Sequence, residues 1–144
     1  MDSNKVITAA LIRLVEDSEL KELISDPVTV YKGAKRTDGA KNPCLTVHIN
    51  GPGVDPDSTR VQGTLVINHY ADNYASGNAK VEDFGPVQKR IMELFHDNPL
   101  DIEGFLNYSI AVRSLAGPLW DADHPDEHYT STFIDFNIVK RSGD

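Results

Sequence analysis

Cysteine is almost absent from this sequence, since Cys44 is the only one among 144 residues. A disulfide within the chain is therefore excluded, and so is a zinc site built from several cysteines of one chain. No segment approaches the roughly 20 consecutive apolar residues that a membrane-spanning helix needs. The first ten residues are too polar for a signal peptide. We therefore expect a protein that is made in the cytoplasm and does not enter a membrane.

Basic residues are also few, with 14 Lys and Arg against 22 Asp and Glu and a formal net charge of −8. Proteins that hold nucleic acid tightly gather Lys and Arg on one surface, because neutralised phosphates release counterions. Here the basic residues are scattered and form no such run. We expect neither tight nucleic-acid binding nor docking on anionic membranes.

The composition itself is that of an ordinary globular domain, with 40% hydrophobic and 25% charged residues. A chain of this length builds one hydrophobic core, so we expect a single domain over residues 1–144. Two polar segments, 32–43 and 117–127, lack an apolar period and are predicted to be flexible loops. The C-terminus is predicted to be frayed.

Apolar residues at spacings of three and four predict two helices, Asn4–Ile24 and Val81–His96. Asp26-Pro27 ends the first, because the residue before a proline avoids the helical conformation. The expected buried face of the first helix consists of Val6, Ile7, Ala10, Leu11, Leu14, Val15 and Leu23. The expected face of the second consists of Val81, Phe84, Val87, Ile91, Leu94 and Phe95.

Alternating or continuous apolar runs predict five strands. They are Val28–Tyr31, Cys44–Ile49, Val61–Tyr70, Phe105–Leu115 and His128–Val139. The resulting order is α-β-β-β-α-β-β, in which strands follow one another instead of alternating with helices. This order predicts an α+β fold, with a mostly antiparallel sheet and two helices packed on one face.

The strongest candidate for chemistry is the acidic segment that runs from Asp121 to His128. His124 and His128 are four residues apart among carboxylates, and all of these are zinc or manganese ligands elsewhere. On a helix both imidazoles would share a face, but Pro125 between them argues against a helix. The simpler interpretation is a solvated acidic loop, and His124 and His128 remain weak metal candidates.

Other candidates have simpler interpretations still. Cys44 has no neighbouring motif that would supply a base, so it is predicted to be a small buried residue. His48, His69 and His96 are predicted to be packing residues or, for His96, a cation at a helix end. Gly51-Pro52-Gly53 lacks the lysine and helix of a phosphate loop. We therefore expect no catalytic residue, no cofactor and no enzymatic activity.

The layout of these elements resembles the phage tail-terminator, or tail-completion, family. The resemblance covers about Val6–Val139 and is one of layout and texture. It is carried by Val30-Tyr31-Lys32-Gly33, Pro43-Cys44-Leu45-Thr46-Val47, Leu65–Asp72, Val87–Asp97, and the closing run through Trp120, His128 and Phe136. The family's tryptophan near the end of the long strand is replaced by Tyr70.

The resemblance implies a structural protein of the virion, located at the junction of tail and head and made in the host's cytoplasm. Its copies would form a ring, usually a hexamer, that caps the tube of the major tail protein and stops its polymerisation. The ring would also bind a head-completion or connector protein. An acidic balance suits a channel through which DNA passes.

Three other hypotheses remain open at this point. A head-tail connector, or neck protein, shares the small size and mixed fold. A metal-dependent hydrolase would use His124, His128 and the nearby carboxylates. A small-ligand binding domain or a toxin–antitoxin component is the weakest of the three.

Overall fold

The computed structural model describes residues 2–33, 40–54 and 59–141, with the backbone alone for 2–3 and 52–54. Three helices lie in these ranges: α1 (Asp2–Glu16), α2 (Ser18–Leu23) and α3 (Val81–Phe95). Five strands accompany them: β1 (Val30–Lys32), β2 (Cys44–Val54), β3 (Arg60–Asp72), β4 (Phe105–Asp121) and β5 (His124–Lys140).

The five strands form one sheet in the order β1-β2-β3-β5-β4. Only β1 and β2 are parallel, whereas the other three neighbouring pairs are antiparallel. The α+β class, the order of the elements and the mostly antiparallel sheet confirm the prediction from sequence.

The hydrophobic core lies between the helices and one face of this sheet. Register places Leu65 opposite Ile134 and Val47 opposite Ile67, so these alternate side chains share a face. Both long helices cover that face. Their buried contributions are Val6, Ala10 and Leu14 from α1, and Val87, Ile91 and Phe95 from α3.

The first predicted helix is interrupted at Asp17, which corrects the expectation of one helix over Asn4–Ile24. Asp17 is extended and caps α2, since its carboxylate accepts a hydrogen bond from the Leu20 amide at 2.9 Å. The break turns the chain, so Leu20 is buried while Leu23 is 41% exposed. Val81 at the start of α3 is also exposed, contrary to its place in the predicted apolar face.

The segment 117–127 forms strands and a tight turn, which corrects the expectation of a loop there. β4 continues to Asp121 and β5 begins at His124, so only two residues separate the paired strands. Irregular register between Ala116 and Leu119 accommodates Gly117 and Pro118 within β4.

The other predicted loop, 32–43, lies partly outside the described residues. Lys32 belongs to β1, and the Gly33 amide donates to the Val47 carbonyl. β2 continues past its predicted end at Ile49. The predicted frayed end at 142–144 also lies outside the described residues. Among the described helices, none has the length and apolar character needed to cross a membrane.

Candidate functional site

The two weak metal candidates lie on one strand and are not brought together. His124 begins β5 and His128 follows four residues later, a rise of about 13 Å along an extended chain. His124 is exposed, whereas His128 is half-buried with its Nδ1 2.5 Å from Asn73 Oδ1. Across the described residues, no three His, Cys, Asp or Glu side chains are grouped so as to hold a metal ion.

The carboxylates around these histidines help to shape a hairpin. Asp121 Oδ1 accepts a hydrogen bond from the Asp123 amide at 2.9 Å, which closes the turn between β4 and β5. Trp120 Nε1 donates to the Pro125 carbonyl at 3.2 Å, across the same hairpin. The acidic segment is therefore an ordered turn in which Asp121, Asp123 and Asp126 are exposed, whereas Glu127 is buried.

Cys44 opens β2 and its side chain is fully buried. A nucleophilic thiol has to be reached by its substrate, so this position suits packing better than catalysis.

His69 packs in the core against Phe84, with ring centroids 5.1 Å apart in an edge-to-face arrangement. It is 2% exposed, and burial lowers its pKa from 6.5 to about 4. Its Nδ1 has no hydrogen-bond partner among the described residues. His69 is thus a neutral packing residue at neutral pH, as the sequence predicted.

The other two histidines lie near the surface. His96 is the C-cap residue of α3, and its Nδ1 accepts a hydrogen bond from the Val112 amide at 3.0 Å. This contact ties the end of α3 to β4 and does not require a charged imidazole. His48 is half-buried on β2, and burial lowers its pKa.

A cleft of about 530 Å³ opens between α1 and the end of α3. Arg13 on its wall donates to three carbonyls that end or follow α3, those of Leu94, Asn98 and Pro99, at 2.7 to 2.9 Å. Its guanidinium also lies 5.4 Å from the Phe95 ring centroid. Because the Arg13 guanidinium already donates to backbone carbonyls, it connects α1 to the end of α3, and we do not assign the cleft as a ligand site.

An ion pair on the neighbouring surface fixes α2 against α3. Arg90 donates to both carboxylate oxygens of Asp17, at 2.6 and 3.0 Å. The hydrogen bond from Arg90 is the main reason that the pKa of Asp17 is lowered. Glu19 and Glu93 lie near the same guanidinium, at 3.3 and 3.7 Å.

The surface that stands out is the outer half of the β4–β5 hairpin, residues 115–128, which we name the distal hairpin. β4 is an edge strand of the sheet, and its residues from Arg113 to Asp121 are exposed except for half-buried Ala116. Several large apolar side chains on β4 are exposed: Leu106, Tyr108, Leu115, Leu119 and Trp120. This apolar edge is the candidate functional site, because contiguous exposed apolar side chains are typical of surfaces that contact other macromolecules.

Sequence reasoning missed this surface because it treated 117–127 as a loop. The usable signal was the apolar run Leu115, Leu119 and Trp120 next to glycine and proline. A solvated loop does not need large apolar side chains at those positions.

Comparison with known proteins finds likeness in fold only. No family model matches the sequence, and no curated protein matches it. A chain in the structure of the virion of a native gene transfer agent particle has a TM-score of 0.66 at 12% identity, covering 93% of this chain and 94% of that one. A second solved structure, whose name states no function, has a TM-score of 0.62 at 17% identity, covering 100% and 99%. At these identities the shared property is the fold.

Proposed function

We propose that the protein is a structural component of a phage or phage-like virion, and specifically a tail terminator. Its copies would assemble into a ring, with a hexamer as the expected size. The ring would cap the tube of the major tail protein, end its polymerisation and form the joint to a head-completion protein. The protein would act in the virion, at the junction of tail and head.

The likeness to a chain of a gene transfer agent virion carries this proposal. It extends over 93% of the chain, so the whole arrangement of helices and sheet is shared and not a single motif. The resemblance of the sequence layout to tail-terminator proteins supports the same role. A capping protein acts through a surface that is complementary in shape to the tube and makes apolar contacts with it. The exposed apolar edge of β4 is a surface that can make such contacts.

The role requires no bond-making step. Within the described residues, the histidines and carboxylates that could do chemistry are separated along β5, buried in the core or used in a turn. We therefore assign no catalytic residue and no cofactor.

A tube-length assay tests the function. The purified protein is added to the polymerising tail tube protein encoded beside it, and tube lengths are measured by negative-stain electron microscopy. We expect shorter tubes with increasing protein, and a ring-shaped density at one tube end. Unchanged lengths and bare tube ends would refute the capping role.

A head-tail connector protein is the second candidate, since the gene transfer agent particle that supplies the structural match is an entire virion. It predicts binding to the portal or head side with no effect on tube length.

The metal-dependent hydrolase hypothesis predicts zinc or manganese bound to the purified protein. Elemental analysis of wild type and of His124→Ala would reveal such a metal.

A further inference from the structure

The outer half of the edge formed by β4 is apolar and has no neighbouring strand among the described residues. Farther in, the Ile110 carbonyl and the Val112 amide already bond to Asp97 and His96. β4 is 17 residues long and pairs with β5 along one side only. Its outer half is exposed on both faces of the sheet, with Leu115 46% and Trp120 56% exposed. Unpaired amides and carbonyls together with apolar side chains make a template for pairing with another strand. Natural proteins usually cover such an edge or blunt it with charge, proline or bulges. β4 carries Pro118 and several register shifts, so a partner strand would pair with it over a short stretch around Leu115.

The opposite edge of the same sheet is formed by β1, which is only three residues long. β1 pairs with β2 at Leu45 to Val47, so the rest of β2 is not covered by β1. The sheet thus has one long apolar edge and one short edge on opposite sides.

The directions of the strands make these two edges compatible. β1 is parallel to β2, and each following neighbour reverses direction through β3, β5 and β4. β4 therefore runs opposite to β1. Two copies placed side by side in the same orientation would meet with β4 antiparallel to β1, which is the more stable kind of pairing.

The register also brings matching positions to the two edges. One row of paired residues crosses the whole sheet: Leu115, Thr132, Ile67, Val47 and Lys32. A neighbouring copy at the same level would set Leu115 beside Lys32. The distal hairpin would then extend along the end of the sheet at which β2 starts.

Charge at this end is complementary. The distal hairpin carries Asp121, Asp123 and Asp126, all exposed, and no lysine or arginine. The exposed Lys41 precedes β2 at the same end of the sheet, and the exposed Lys32 lies on β1. Lys32 Nζ donates to Thr8 Oγ1 of α1 at 3.1 Å, and this uncharged partner does not neutralise the ammonium.

We propose that β4 and the distal hairpin of one copy bind the β1 edge of a second copy, in a head-to-tail contact. The sheets would continue across the junction, with apolar contact along β4 and ion pairs at the hairpin. Repetition of a contact between two different edges gives a closed ring when the rotation closes. The proposal deepens the function given above and rests on it for the assembly of copies.

A symmetric contact of β4 with a second β4 explains less. Antiparallel pairing centred on the strand would place Arg113 opposite its own copy, and like charges directly opposite one another destabilise a sheet. It would also leave Lys32 and Lys41 without a carboxylate partner from the neighbour.

Two variants each remove one side of the contact. Leu115→Glu with Leu119→Glu places charge on the β4 edge, and Lys32→Glu with Lys41→Glu reverses the charge of the β1 edge. Light scattering after size exclusion would measure the mass of each at several concentrations. We expect each to weaken self-association at least about tenfold relative to wild type. Circular dichroism melts would confirm that both remain folded.

The matched control is Leu23→Glu with Val81→Glu, which adds the same charge at apolar positions with similar exposure, on α2 and α3. It should assemble as wild type does. Mixing the two edge variants provides a second test, because each still carries one intact edge. A head-to-tail contact predicts that the mixture forms heterodimers and stops there.

Charge exchange supplies a third test. Asp123→Lys with Asp126→Lys should weaken assembly, and adding Lys32→Glu with Lys41→Glu in the same chain should restore it. Edge variants that assemble like wild type would overturn the proposal, as would a wild type that is monomeric both alone and on tubes. Capping of tubes by the edge variants would leave the proposed function standing and the contact refuted. If the edge variants lose assembly while wild type leaves tube length unchanged, the proposed contact would stand and the capping function would be refuted.

Discussion

Arg13 shows how one side chain can complete a helix to which it does not belong. α3 has no basic residue in its last turn, and the carbonyls at and after its end are taken up by Arg13 from α1. The cation also opposes the negative end of the helix dipole. Two helices far apart in sequence are joined through this one guanidinium.

Replacing Arg13 with Met keeps the apolar stem and removes the three hydrogen bonds. We expect the free energy of unfolding to fall by about 2 kcal/mol, because three charged hydrogen bonds are lost, although the Leu94 carbonyl keeps its bond from Asn98 Nδ2. Urea unfolding at fixed protein concentration measures the change. Arg13→Lys should recover only part of it, since an ammonium lacks the planar fork.

Variants of Asp17 can separate its two roles, which are capping of α2 and the ion pair with Arg90. Asp17→Asn keeps an oxygen that caps α2 but removes the charge next to Arg90, whereas Asp17→Ala removes both. We expect the alanine variant to be less stable than the asparagine variant by about 1 kcal/mol, the usual contribution of an N-cap. Equal stabilities would show that the cap contributes nothing here. Urea midpoints of the two variants make the comparison.

His69 should make stability depend on pH. Its folded pKa of about 4 lies below the ordinary 6.5, so the unfolded chain takes up the proton first as pH falls. The contribution of neutral His69 to the free energy of unfolding is present above pH 6.5 and is lost as the pH falls from 6.5 to 4. Between pH 7 and pH 5 the free energy of unfolding should fall by about 2 kcal/mol.

The measurement is urea unfolding at pH 7 and pH 5 for wild type, His69→Phe and His124→Gln. The first variant should lose most of the pH dependence. His124→Gln, at an exposed position, is the control and should keep the slope of wild type. An unchanged slope in His69→Phe would contradict the assignment.

Among the elements, the distal hairpin depends on Gly117. Its φ is +109°, and a Cβ there would lie 2.8 Å from the Tyr129 carbonyl oxygen of the paired strand. Gly117→Ala should therefore destabilise the hairpin by about 2 kcal/mol or more. Hydrogen exchange should show faster opening of the amides of β4 and β5 near this position.

Gly85 is the matched control for that substitution. It lies in α3, and apart from its own helix and chain neighbours no atom lies within 4 Å of a Cβ added there. Gly85→Ala should change the free energy of unfolding by less than about 1 kcal/mol, because the gain in helix propensity is offset by crowding of the new Cβ against the ring of Pro86. The Gly117 variant is therefore expected to lower the urea midpoint much more than the Gly85 variant.

Two elements mark where local sequence was enough and where it was not. α3 was predictable almost to the residue, because Phe84, Val87, Ile91 and Phe95 recur at helical spacing and are buried. The distal hairpin was not, because glycine, proline and aspartate favour turns locally, while pairing with β5 is what makes its residues extended. Strand pairing is a contact between distant parts of the chain, so the apolar edge of β4 was invisible to local reasoning.

The break between α1 and α2 was missed for a different reason. The apolar period runs on past residue 16, so periodicity alone extends the helix to Ile24. Asp17 is a capping residue type, and its partner Arg90 lies far along the chain. A helix-capping residue within an apolar period can indicate a break in the helix, and a prediction based only on apolar spacing misses it.

For the whole molecule, the acidic balance predicts weak contact with DNA. With a net charge of −8, the protein should bind a short duplex with a Kd weaker than about 10⁻⁴ M at physiological salt. Fluorescence anisotropy at two salt concentrations makes the measurement, with a basic duplex-binding protein run in parallel. Micromolar binding that weakens steeply with salt would contradict the prediction.

The order of the strands also bears on how the molecule is made. β5 lies between β3 and β4 in the sheet, although β4 is synthesised first. During synthesis β4 therefore has no strand to pair with until β5 has emerged from the ribosome. Until then β3 also has one unpaired edge. Pairs such as Arg60 with Val139 close a long loop, which makes folding slow. Interrupted synthesis before β5 would leave both strands exposed, so the nascent chain depends on its final strand to protect the others from aggregation.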